Sequence, residues 1–127
     1  MQIDKDLNSE YAELFLDVRE FITTEIEKLS SKVLEKYSQN ITTLYTKEFS
    51  SAFCYLRIKE NYVHIGWFNG AKIEDRFSVL LGDGKHIRGE RIYKLDTTSK
   101  ESITYHIEQS YIWLVEKEAI KEMRKNS

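Results

Sequence analysis

The apolar residues of this chain change their period twice, and that change restricts the fold more than any single motif. Leu7, Tyr11, Leu14, Phe15, Val18, Ile22, Ile26 and Leu29 recur in steps of three and four. This is one apolar stripe of a helix that ends near Ser30 and Ser31, with Asn8 or Ser9 placed to cap its start. The period then falls to two. Residues 33–37 and 41–46 are short β-prone runs divided by Ser38-Gln39-Asn40. Residues 49–58 alternate, with Ala52, Cys54, Leu56 and Ile58 on one side, and Lys59-Glu60-Asn61 reads as a hairpin turn. Val63, Ile65 and Trp67 share a face of the next strand, and 87–95 is a further one. Thr98 and Glu101 fit a capping box, after which Ile103, Ile107, Tyr111, Leu114 and Val115 restore the helical period. Lys121, Arg124 and Lys125 fall where a helix C-terminus favours cations.

Short gaps suit antiparallel pairing, and two amphipathic helices can share one face of a sheet. The expected fold is α+β: a two-layer sandwich with an antiparallel sheet of four to five strands and the N- and C-terminal helices on one face. At 127 residues the chain is expected to be a single domain, 1–127. It lacks proline, so its turns must use Gly, Asn, Asp and Ser.

The net charge of −2 supplies no global field for nucleic acid or an anionic membrane, and neither partner is expected. The lone Cys54 cannot form an internal disulfide, the N-terminus MQIDKDLNSE is polar, and no apolar run reaches the ~18 residues of a membrane span. A cytoplasmic location is the expectation.

Four of the five glycines, Gly70, Gly82, Gly84 and Gly89, fall within residues 68–91, beside Lys85, Arg88 and Arg91. The runs WFNGAKIED and LLGDGKHIR resemble the signature of the YdhG-like family of small bacterial proteins. Phe68, Gly70, Ala71, Asp75, Leu81, Gly82, Gly84, Lys85 and Arg88 occupy the matching places, and Glu35-Lys36-Tyr37 resembles the family's early strand. Where the family usually carries proline, this chain has Asn40 or Ile41, and Arg76. The resemblance implies terminal helices packed on an antiparallel sheet, frataxin-like in some members, with an iron-chaperone role in one branch. It transfers no catalytic residues.

Three constellations could carry function. Gly82, Gly84, Lys85, Arg88 and Arg91 could present backbone N–H groups and cations to an anion or small ligand. The GxxxxGK[ST] register is absent, however, and Asp83 would repel a phosphate, so a structural turn is the competing reading. Glu10, Glu13, Asp17 and Glu20, within a ridge from Asp6 to Glu27, could hold a hard cation such as the iron the resemblance implies, attract a basic protein, or simply be solvated. Tyr55, Tyr62 and Phe68, with Tyr45 and Phe53, are expected on the sheet face away from the helices, where a ligand, a protein partner or a second copy could bind. His64, His86 and His106 lack zinc spacing, Cys54 is expected to be inert and buried, and no nucleophile motif occurs. The expected function is that of a small binding protein without catalytic activity, handling iron or another metal if the resemblance holds. The alternatives are an interaction or self-association module and an anion binder.

Overall fold

The computed structural model describes residues 11–125. Helix α1 (Ala12–Glu27) leads into strands β1 (Leu34–Ser38), β2 (Ile41–Tyr45), β3 (Cys54–Lys59) and β4 (Tyr62–Trp67). A short 3-10 turn (Gly70–Lys72) and an irregular segment precede β5 (Arg88–Ile92) and the long helix α2 (Thr97–Lys125). The strands form one antiparallel sheet in the order β1-β2-β3-β4-β5, with a helix from each end of the chain. The expected α+β sandwich is the fold. Residues Leu7, Asn8 and Ser9, with Asp6 and Glu10 of the acidic ridge, lie outside the described residues.

The strand-rich half is built from local hairpins. Gln39 and Asn40 both take positive φ, 52° and 64°, the conformation of a two-residue turn whose twist matches the strands it joins. Glu60, at φ 45°, turns β3 into β4. Glu27 fixes the entry to β1, its Oε2 accepting the Val33 N–H at 2.7 Å.

The core lies between sheet and helices. Phe15, Val18, Ile22 and Ile26 come from α1, and Ile103, Ile107 and Leu114 from α2. They meet Leu44, Cys54, Leu56, Val63, Ile65, Trp67 and Ile92. Each large side chain buried here contributes roughly 1.5–3 kcal/mol relative to exposure. Val115 departs from the expected stripe, being 41% exposed.

Two further expectations are corrected. Phe53 is buried in the core, edge-to-face with Phe49, rather than on the outer sheet face. Strand β3 begins only at Cys54, so the alternation that would turn Phe53 outward has not started. The capping box is Asp96 and Ser99 rather than Thr98 and Glu101. The Ser99 N–H donates to Asp96 Oδ1 at 3.0 Å, and the Asp96 N–H donates to Ser99 Oγ at 2.9 Å.

Candidate functional site

Gly66 and Gly89 stand opposite one another in the β4–β5 ladder. Neither has a side chain to cover the outer sheet face, and two rings occupy the space. The Tyr55 ring lies where a Cβ on Gly66 would be, and His64 Cε1 would sit 2.6 Å from a Cβ on Gly89. Tyr55 Oη and His64 Nε2 are 3.3 Å apart. Phe68 flanks Tyr55 at a ring separation of 5.6 Å. On the other flank Arg91 stacks its guanidinium on Tyr62 at 5.0 Å, and Tyr93 packs against the same ring.

The glycine-rich loop folds back onto this floor. Leu81 pairs with Gly89 through two backbone hydrogen bonds of 2.8 Å, which draw the chain alongside β5. Gly82 then turns at φ 121°, a conformation that side chains rarely adopt. Arg88 Nη1 closes the loop by donating to the carbonyls of Gly84 at 2.5 Å and Ile87 at 3.0 Å. The result is an open cleft of about 340 Å3, with Tyr55, Tyr62, His64 and Arg91 on the sheet side and Gly82 and Gly84 on the loop side. Lys59 and Asp83 also line it.

Two groups of residues read separately in the sequence therefore meet. Gly82, Gly84 and Arg91 of the loop set share one cleft with Tyr55 and Tyr62 of the aromatic set. Arg88 is instead the clasp of the loop, Lys85 is exposed and does not line the cleft, and Phe68 supports Tyr55 from the side. His64, set aside in the sequence for want of zinc spacing, is a central part of the cleft floor. Burial first, and then the charges of Lys59, Arg57 and Arg91, push its pKa down from the ordinary value near 6.5 to about 4. The imidazole is therefore neutral at pH 7, and the same cations make its surroundings receptive to an anion. Gly66 was the available signal, since a glycine inside an apolar strand marks a place where another group approaches the backbone.

The acidic residues of α1 are arranged differently. Glu13, Asp17 and Glu20 are exposed on the helix, and Glu10 lies outside the described residues. Among the described residues, no group of three or more His, Cys, Asp or Glu side chains could hold a metal ion.

A third polar group lies inside the core, and the sequence reading missed it as a unit. Glu90 Oε1 accepts the Trp67 Nε1–H at 3.0 Å and faces His106 Nδ1 at 2.8 Å, while Oε2 accepts the Ser102 hydroxyl at 2.7 Å. Glu90 and Ser102 are each 3% exposed, and Trp67 and His106 are fully buried. The signal was present in the pattern. Glu90 alternates inward with Ile92, and His106 falls between Ile103 and Ile107 on the apolar stripe. None of these four residues lines the outer cleft, and the group ties α2 to β4 and β5. Cys54 is also fully buried, and burial followed by the charge of Glu90 raises its thiol pKa, which keeps it protonated and inert.

The architecture is thus an α+β sandwich carrying an aromatic and cationic cleft on the uncovered sheet face. Comparison with protein-family models, curated proteins and solved structures found no match, so the resemblance to YdhG-like proteins rests on the quoted residues alone. Among the described residues, no helix is long and apolar enough to cross a membrane.

Proposed function

We infer that this is a ligand-binding protein whose outer cleft takes a small, flat anion, such as an aromatic carboxylate or a mononucleotide. The supporting observation is the convergence of loop backbone, tyrosine rings and Arg91 on one concavity. Ring faces suit a flat apolar body, and a cation beside turn N–H groups suits its charge. The cleft volume, about 340 Å3, lies at the small end of the ~300–1,000 Å3 typical of ligand sites. Asp83 at the rim disfavours a highly charged polyphosphate and favours a ligand of one or two charges. The iron-handling reading draws no comparable support, because the described carboxylates of α1 form no ligand cluster.

Titration with benzoate, inorganic phosphate and adenosine monophosphate, followed by amide and imidazole NMR, tests the reading. The expected result is a shift at His64, Gly82 and Gly84 with one of these anions, weakened about tenfold in Arg91→Ala by loss of one charge-assisted contact. Absence of shifts at all three residues at millimolar concentrations of every probe would refute it.

A further inference from the structure

Strand β1 pairs with β2 alone, so its other edge is open. The register determines which backbone groups that edge presents. Ser38 opposite Ile41 closes the two-residue turn and shares ladder hydrogen bonds, as do Lys36 opposite Thr43 and Leu34 opposite Tyr45. The N–H and C=O groups of Glu35 and Tyr37 therefore point away from the sheet. The next outward N–H, that of Val33, is already taken by Glu27. The open segment begins at Glu35 and extends to the turn.

A groove of about 690 Å3 runs beside this edge, between β1 and α1. Its charged lining consists of Arg19 and Lys32 against Glu20, Glu27 and Glu35. Arg19 is committed to Glu35, with Nη2 at 2.6 Å from Oε2 and a second, shorter contact through Nε, and Tyr37 donates its hydroxyl to the same carboxylate. That triad fixes the groove floor. Glu20 and the second carboxylate oxygen of Glu27 remain at the rim with Lys32, and the exposed acids Asp17 and Glu13 continue a predominantly negative face along α1.

We propose that the β1 edge and its groove bind an extended basic segment of another protein, which adds as a sixth strand. Backbone groups of Glu35 and Tyr37 supply the ladder. Residues of the added strand opposite Glu35 and Tyr37 project to the groove side, where lysine or arginine meets Glu20 and Glu27 and can stack on Tyr37. The residue between them projects to the outer face opposite Lys36, where an acid fits. The recognised pattern is basic–acidic–basic in an otherwise β-prone segment.

A second copy of this chain is a poor occupant. Pairing two β1 edges about a two-fold axis, so that Glu35 meets Tyr37 of the copy, sets Lys36 against its own counterpart. It also brings the two acidic rims together. Like charges directly opposite in a ladder are destabilising, and an edge lysine is a common device against such self-pairing.

The test uses the full chain and the synthetic peptide TVKDKVT, whose two lysines share one strand face with the aspartate on the other. The expected result is chemical-shift change and slowed amide exchange at Glu35 and Tyr37, with binding that weakens as salt rises. The charge-reversed peptide TVEKEVT should bind at least tenfold more weakly. TVKDKVT N-methylated at both lysines should fail likewise, because it keeps the charges and loses the ladder. Glu20→Lys, an exposed substitution, should weaken TVKDKVT about fivefold, while Arg91→Ala in the distant cleft should leave it unchanged. The proposal is overturned if Glu35 and Tyr37 do not respond to millimolar TVKDKVT at low salt. Equal binding of the N-methylated or charge-reversed peptide overturns it as well. So does a peptide-free dimer in which those two amides are already protected.

Discussion

Gly89 and Glu90 are neighbours on β5 and face opposite worlds. Gly89 leaves the outer sheet face bare, and His64 settles over it among cations, partly buried, with its pKa pushed down to about 4. Glu90 turns into the core, where Trp67, Ser102 and His106 surround its carboxylate. One histidine is left receptive and the other is locked in place. The inner group is buried with both carboxylate oxygens engaged, so it serves cohesion. The outer group has an open concavity and unspent positive charge, so it serves binding.

This contrast breaks most easily from the inside. Glu90→Ala removes the acceptor of the Trp67 and Ser102 donors and the partner of His106, and leaves those polar groups buried. We expect a loss of about 3–5 kcal/mol in urea unfolding, the range for removing one member of a buried charged network. Glu90→Gln, which keeps an acceptor, should lose less. If Glu90→Ala unfolds no more readily than wild type, the division of labour between the two faces is wrong.

A smaller effect is expected on the outer face. In Gly66→Ala the new methyl would occupy the seat of the Tyr55 ring. The ring is the far end of a mobile side chain and can swing aside, so the cost is about 1 kcal/mol, near the lower end for overpacking. The cleft floor, however, is lost with it. The measurement is therefore paired: unfolding should change little while anion binding falls at least tenfold. A stable Gly66→Ala variant that binds as wild type would show that the Tyr55 seat is irrelevant to the cleft.

The two faces also differ in how much of each could be read in advance. The helical stripes, the β alternation and the hairpin at 59–61 needed only local period, and the sheet follows them. Phe53 was misplaced because the alternation was run from residue 49, well ahead of the start of β3 at Cys54. The cap was misplaced because Asp96-Ser99 satisfies the same reciprocal geometry as Thr98-Glu101. The cleft was only half legible. Its glycines and its tyrosines each stood out, but what joins them is the Leu81–Gly89 pairing, a tertiary contact that no periodicity encodes. Glu90 and His106 lay in view on inward positions, yet polar residues there are read as exceptions until their partners are known.

Acidity separates the histidines with a gentler perturbation. The His64 pKa in the folded chain, about 4, is below the unfolded value near 6.5. Between those values the unfolded chain binds more protons, so stability falls as pH drops from about 6.5 towards 4 and is flat above that window with respect to this group. His64→Gln should flatten the slope in that window, on top of a pH-independent loss from the ring's packing on Gly89 and Tyr55. A bound anion should raise the His64 pKa by offsetting the charges of Lys59, Arg57 and Arg91, so ligand affinity should rise as pH falls through the same range. A His64 imidazole titrating near 6.5 by NMR in the ligand-free chain would remove the electrostatic half of the contrast.

The smallest effect is expected at Gly84, and it separates the glycines that the fold requires from those it tolerates. A Cβ on Gly84 meets nothing within 4 Å, and the residue does not adopt positive φ. Gly84→Ala should therefore leave stability within about 0.5 kcal/mol of wild type, as for other unconstrained surface positions. Its carbonyl, which accepts from Arg88, is kept, so the loop should stay closed over the cleft. Any change in anion affinity must then arise from the methyl group at the cleft wall, and a loss confined to larger ligands would place them against Gly84. If Gly84→Ala destabilises the chain as much as Gly66→Ala does, the loop is part of the structural scaffold, and the cleft loses its claim to a wall free to serve a ligand.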